Sequence, residues 1–166
     1  MFFRFIVLAL AVFLAVPATA GADNSLQNKV RAEIMPSFEA MQAAADVHDA
    51  DAHIAFLAND PNLIFVINGR RIIGWKTVLD QQRKHWPERI PAWSGTGIPY
   101  GRVGPDFIVL GPDSALLSFV LVYPKTDAAG RRIDRTLAIS HLWRKRPEGW
   151  RVIYVHESIA EKPATD

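Results

Sequence analysis

Near its C-terminal end the chain reads RVIYVHES, Arg151 to Ser158, a strand-like apolar run that closes on a histidine, a carboxylate and a hydroxyl. These side-chain types move protons near neutral pH, so the stretch is a candidate for acid/base work. A strand's period of two decides which of them can cooperate. It puts Trp150, Val152, Tyr154, His156 and Ser158 on one face and Ile153, Val155, Glu157 and Ile159 on the other. His156 and Glu157 therefore point apart and form no dyad. A second polar cluster, DVHDADAH from Asp46 to His53, has the residue types of a metal site. His48 and His53 are five apart across an expected helix break, not the i, i+4 pair that one helical face requires. Capping of a helix start accounts for the acids, and no metal is expected.

The elements that must position these groups begin after an apparent leader. MFFR supplies a basic start, Phe5 to Val16 is apolar but shorter than the about 20 residues a membrane crossing needs, and PATAGA offers cleavage after Ala20 or Ala22. Residues 1–22 read as a signal peptide, implying a periplasmic or secreted protein with no membrane attachment once the leader is removed. The chain has no cysteine, so packing alone must hold an exported fold. With 19 basic and 17 acidic side chains in 166 residues the charge is nearly balanced. Arg70-Arg71, Arg131-Arg132 and Arg144-Lys145-Arg146 sit at expected turns as solvated charge, and nucleic acid is not an expected partner.

One domain, residues 25–161, accounts for the rest. Leu26, Val30, Ile34, Phe38, Met41 and Ala45 recur at three- and four-residue spacings and predict a helix from Ser25 to about Asp49, kinked or broken at Pro36. A short helix follows, capped by Asp49 or Asp51, with Ile54, Ala55, Leu57 and Ala58 inward. LIFVIN, Gly69-Arg70-Arg71 and Ile72-Ile73 predict a hairpin turning near Asn68-Gly69. A third helix spans Gly74 to Trp86 and ends at Pro87. Strands are expected at about Gly95–Arg102, Phe107–Leu110, Ala115–Tyr123, Arg135–Arg144 and Trp150–Ile159, with turns at GPDS, TDAAGR and RPEG. Helices first and strands later predict an α+β fold. ALLSFVLVY is apolar at nearly every position, so its strand should be covered on both faces; a sheet-to-sheet homodimer would cover the second.

Helices followed by a strand meander ending W-x-V-x-Y-x-H-x-S (Trp150, Val152, Tyr154, His156, Ser158) resemble the nuclear-transport-factor-2-like superfamily. Within it they are similar to SnoaL-like domains and to the hub domain of calcium/calmodulin-dependent protein kinase. Gly111, Asp113 and Ala115, then Asp127-Ala128 with Gly130, then Trp143 match at the same spacing. His48-Asp49, Asp60-Pro61 and Ile73-Gly74 resemble the family's earlier stations. The resemblance covers about residues 28 to 159. It implies a cone-shaped fold, with N-terminal helices packed on a strongly curved antiparallel sheet, a pocket between them and commonly a dimer through the outer sheet face. Members include isomerases, cyclases, dehydratases and transport adaptors, so the fold locates a site without naming its chemistry.

The same resemblance maps the hub's pocket arginines onto Glu157, His141 and Leu121, so binding of an acidic ligand in the hub's manner is not implied. His141 and Glu157 become the acid/base candidates. If the RPEG turn sets Trp143 opposite Arg151, His141 faces Ile153 and Glu157 lies four residues on, ~13 Å away, so the two would flank a ligand. A steroid-isomerase reading needs a carboxylate on the first hairpin strand, and Leu63–Ile67 has none. The expected pocket lining is Phe65, Phe119, Leu121, Tyr123, Trp143 and Val155 beside His141 and Glu157. The expected ligand is a small apolar molecule, with no cofactor. Three functions stay open: a binding module, an isomerase, cyclase or dehydratase using a pocket His/Glu, and a non-catalytic dimerisation or interaction scaffold.

Overall fold

The computed structural model describes residues 20–89, 101–126 and 129–163. Residues 1–19 of the expected leader lie outside these, as do Tyr100 and most of the strand expected at Gly95–Arg102. The side chain of Tyr123 is also outside what is described.

The first helix, α1 (Ala20–Asp46), runs through Pro36 without ending. A proline forfeits one backbone hydrogen bond of the helix. The stripe Val30, Ile34, Phe38 and Met41, each at most 2% exposed, holds the two halves on one apolar surface. The chain turns through His48, in the left-handed region at φ 58°, into α2 (Ala50–Ile54). Asp49 is its N-cap, with the carboxylate accepting from the Ala52 N–H at 2.9 Å. Ile54, Leu57 and Ala58 are buried, whereas Ala55 faces out and Phe56 packs in its place. The third helix, α3 (Trp75–Arg89), continues past Pro87. The Trp75 indole N–H donates to the Ile54 carbonyl at 3.1 Å and ties it to α2.

Six strands form one sheet: β1 (Ile64–Ile67), β2 (Arg70–Ile73), β3 (Gly101–Gly111), β4 (Ser114–Thr126), β5 (Arg132–Arg146) and β6 (Gly149–Pro163). Their spatial order is β2-β1-β6-β5-β4-β3, antiparallel throughout except that β1 runs parallel to β6. Gly101 and Arg102, the described end of one expected strand, run on into the next as β3, with a register irregularity between Val103 and Asp106. The β1–β2 hairpin turns on Asn68 (φ 47°) and Gly69 (φ 76°), two successive left-handed residues that a two-residue hairpin loop demands. The fold is α+β, with the helices lying against one face of the sheet.

Alternation along β4 is clean on that inner face: Ala115, Leu117, Phe119 and Leu121 are buried beneath the helices. The other face of ALLSFVLVY, with Leu116 and Val120, is half-exposed. Register lines up one apolar row across all six strands of this outer face, Ile73, Ile64, Tyr154, Leu142, Leu116 and Ile108. Ile73 and Ile108 at its ends are 46% and 55% exposed and the four between them are partly exposed, so among the described residues nothing fully covers the row.

Candidate functional site

A bulge in β6 sets the geometry of the site. Leu142 pairs with Tyr154 but Trp143 pairs with Val152, so Ile153 is an extra residue without a cross-strand partner. An inserted residue reverses which face each later side chain takes. Trp150 and Val152 are therefore inward before the bulge, and Val155, Glu157 and Ile159 are inward after it. The single face expected for Trp150 through Ser158 is thus broken. Tyr154, His156 and Ser158 turn to the outer face, where His156 is exposed with its ring 6.5 Å from that of Tyr154. His156 and Glu157 do point apart.

The same bulge, with the two-residue turn at Pro147-Glu148, resets the register between the two candidate residues. Arg144, not Trp143, faces Arg151, and His141 faces Val155 instead of Ile153. Glu157 faces Ile139. His141 and Glu157 are thus diagonal neighbours on adjacent strands, with a backbone separation of about 7 Å in place of the ~13 Å expected. The backbone of Glu157 is held on its other side by β1: the Asn68 N–H donates to the Glu157 carbonyl at 3.1 Å, and the Asn68 side-chain oxygen accepts from the Ile159 N–H at 2.8 Å.

Between this wall and the helices lies a cavity of about 240 Å³. Phe65, Ile67, Phe119, Leu121, Leu137 and Ile139 supply its sheet side. Gln42 from α1, His53 from α2, and Val78, Gln82 and Trp86 from α3 supply its helix side. His141 and Glu157 line it, with Arg70 and Arg135. Of the residues expected in the lining, Trp143 and Val155 lie instead in the packed core, at 0% and 1% exposure. They continue the inward rows of β5 and β6 past the end of the cavity.

Burial dominates the electrostatics of the two innermost imidazoles. His141 is 3% exposed, packed edge-on to Phe119 at 5.2 Å, and its Nδ1 is sealed from solvent without a hydrogen-bond partner among the described residues. Desolvation, and next the neighbouring His53, push its pKa down to about 3. His53 is pushed down to about 4, again by burial, with a hydrogen bond to Gln82 opposing the shift. Its Nδ1 lies 3.2 Å from the Gln82 amide oxygen, and its ring packs on Trp86 at 4.9 Å. Both rings are therefore neutral at pH 7 and able to donate and accept hydrogen bonds. His48 and His85 also line the cavity. Among the described residues no group of three or more His, Cys, Asp or Glu side chains comes together as metal ligands would.

His53 and Gln82 are the functional candidates that the sequence reading passed over. His53 enters the sequence analysis only within the DVHDADAH cluster, and Gln82 does not enter it. An amide within the stripe Trp75, Val78, Leu79 and Trp86 was the available signal, because a buried amide needs a polar partner.

A family model, the calcium/calmodulin dependent protein kinase II association domain, matches residues 96–161, the part holding β3 to β6. No curated protein matches the sequence. Solved structures do match the fold. An NTF-2 like protein of unknown function from Shewanella oneidensis MR-1 superposes with a TM-score of 0.60 at 17% identity, covering 76% of this chain and 96% of that one. A ketosteroid isomerase-like protein from Erwinia carotovora atroseptica gives 0.60 at 18% identity, covering 77% and 94%. The association domain of C. elegans CaMKII gives 0.57 at 17% identity, covering 80% and 97%. The chain has the nuclear-transport-factor-2-like fold, as its strand motifs suggest.

Proposed function

Starting from a chain with the nuclear-transport-factor-2-like fold, we propose that it is an exported, homodimeric protein that binds a small, largely apolar molecule. The observation that carries this reading is the cavity of about 240 Å³, with an aliphatic and aromatic sheet wall and polar groups entering from both the helices (Gln42, His53, Gln82) and the sheet (Arg70, Arg135, His141, Glu157). Ligand sites have that composition. The size is sufficient: an apolar protein cavity of about 150 Å³ takes up benzene. The uncovered apolar row on the outer sheet face supports the dimer, and the apolar leader supports export.

The test is saturable binding of naphthalene, followed by calorimetry, to the wild type and to Ile139→Trp, which places an indole in the cavity. The reading expects one site per chain in the wild type and none in the folded variant. Absence of binding to the wild type would overturn it.

Catalysis is the second reading, favoured by one observation. Glu157 and His141 are diagonal neighbours on one wall of the cavity, within reach of a single small substrate. An isomerase, cyclase or dehydratase could use such a pair as base and acid. The relevant measurement is turnover: Glu157→Gln should abolish it with the fold intact if the chain is an enzyme. The cavity itself weighs against a pure scaffold, whose interior its own side chains would fill.

A further inference from the structure

We propose that the ligand carries a hydroxyl group, held between the imidazoles of His53 and His141. The inference rests on the binding reading above and adds the polar chemistry of the ligand. It comes from what each ring has left to offer the cavity that both line.

In His53, Nδ1 is engaged with the Gln82 amide oxygen, an acceptor, so Nδ1 carries the proton. The nitrogen left over, Nε2, presents a lone pair. In His141 the situation is reversed. Its Nδ1 is buried without a partner, and a sealed N–H costs more than a sealed lone pair, because orphaned buried donors are the rarer kind. The proton therefore sits on Nε2, the only polar atom His141 can turn to the cavity. One acceptor and one donor thus belong to two rings that line the same cavity.

A hydroxyl satisfies both at once. Its O–H donates to His53 Nε2 while its oxygen accepts from His141 Nε2–H. An ether or carbonyl meets only the donor. A carboxylate has no donor for His53 Nε2 and meets no counter-charge at the two neutral rings themselves; the charges that line the cavity are those of Arg70, Arg135 and Glu157. The apolar sheet side, with Phe119 and Ile139, is left for the ligand's hydrocarbon body.

The test compares β-naphthol, its methyl ether and naphthalene by calorimetry at pH 7, where a phenol near pKa 10 is neutral. With the wild type, naphthol should bind about tenfold more tightly than naphthalene or more, and the ether should gain less. In His141→Leu and His53→Phe this advantage should fall below about threefold while naphthalene still binds. Long-range proton–nitrogen spectra should show His53 protonated at Nδ1 and His141 at Nε2, with both Nε2 signals moving on adding naphthol. Equal binding of naphthol and naphthalene, or an advantage surviving in both variants, would overturn the hydroxyl inference and leave the apolar-ligand reading standing. Failure of all three probes to bind would overturn both.

Discussion

His141 and Glu157 stand on neighbouring strands, two residue pairs apart in the β5–β6 ladder, both turned to the face that the helices cover. Only the first is deeply buried, and it is buried with a ring nitrogen unpaired. A buried polar atom left without a partner lowers stability, so His141 is retained at a cost to the fold. Replacing it by leucine, of similar bulk, removes the unpaired atom. His141→Leu should leave the unfolding free energy unchanged or raise it by about 1 kcal/mol. Denaturant unfolding followed by tryptophan fluorescence checks this, and a loss of 2 kcal/mol or more, roughly the scale of a disrupted core, would argue that the imidazole is a structural member.

The two neutral histidines also set a pH dependence. In the unfolded chain each takes up a proton below its ordinary pKa of 6.5, whereas folded His53 and His141 stay neutral down to about 4 and about 3. The unfolded state then binds more protons, so stability is full above pH 6.5 and falls as the pH drops from there toward 4. The slope should be about 1 kcal/mol per pH unit for each ring. Arg70, Arg135, Glu157, His48 and His85 also line this cavity, and in His141→Leu they are unchanged. His48 is also held below its usual range by burial, so unfolding curves at pH 7, 6, 5 and about 4 should show the slope reduced in that variant by one ring's share. An identical slope in wild type and variant counts against a neutral, buried His141.

How much of this was legible in the sequence follows the range of the interactions concerned. The stripe Val30, Ile34, Phe38 and Met41, the Asp49 cap and the Asn68-Gly69 turn are local patterns, and each is where its spacing puts it. The bulge at Ile153 is not local. It arises where β6 changes neighbours: Val152 exchanges backbone hydrogen bonds with the segment after α2, donating to the Phe56 carbonyl and accepting from Ala58 N–H at 2.9 and 2.8 Å, while from Tyr154 onward β6 pairs with β1. No period in RVIYVHES carries that change, so parity counted from Trp150 failed beyond the bulge. The partnership of His53 with Gln82 was hidden for the same reason, since it spans 29 residues and two helices.

Asn68 joins the hairpin turn to the site strand, and its two roles can be separated. It occupies a left-handed conformation at φ 47°, and its side chain accepts from the Ile159 N–H just beyond Glu157. Asn68→Gly keeps the turn and loses the hydrogen bond, which should cost about 1 kcal/mol. Asn68→Ala loses both, and should cost about 2 kcal/mol. Thermal unfolding ranks the three proteins; equal stability of the glycine variant and the wild type would mean that the side-chain bond contributes nothing.

The outer apolar row gives the last prediction. Leu116 and Leu142 stand side by side in the middle of a face whose ends, Ile73 and Ile108, are about half exposed. A lysine at either central position would have to bring a charge into a sheet-to-sheet contact, where no acidic group of the same row could meet it. Leu116→Lys should therefore convert a dimer to monomer in sedimentation velocity at micromolar concentration. Its side chain points away from the cavity, so the fold and the binding of naphthalene should persist. A wild-type protein that sediments as a monomer would refute the homodimer directly. A variant that stays dimeric would move the contact off this row, to the flanking strip of Val120 and Ala138 or to another surface.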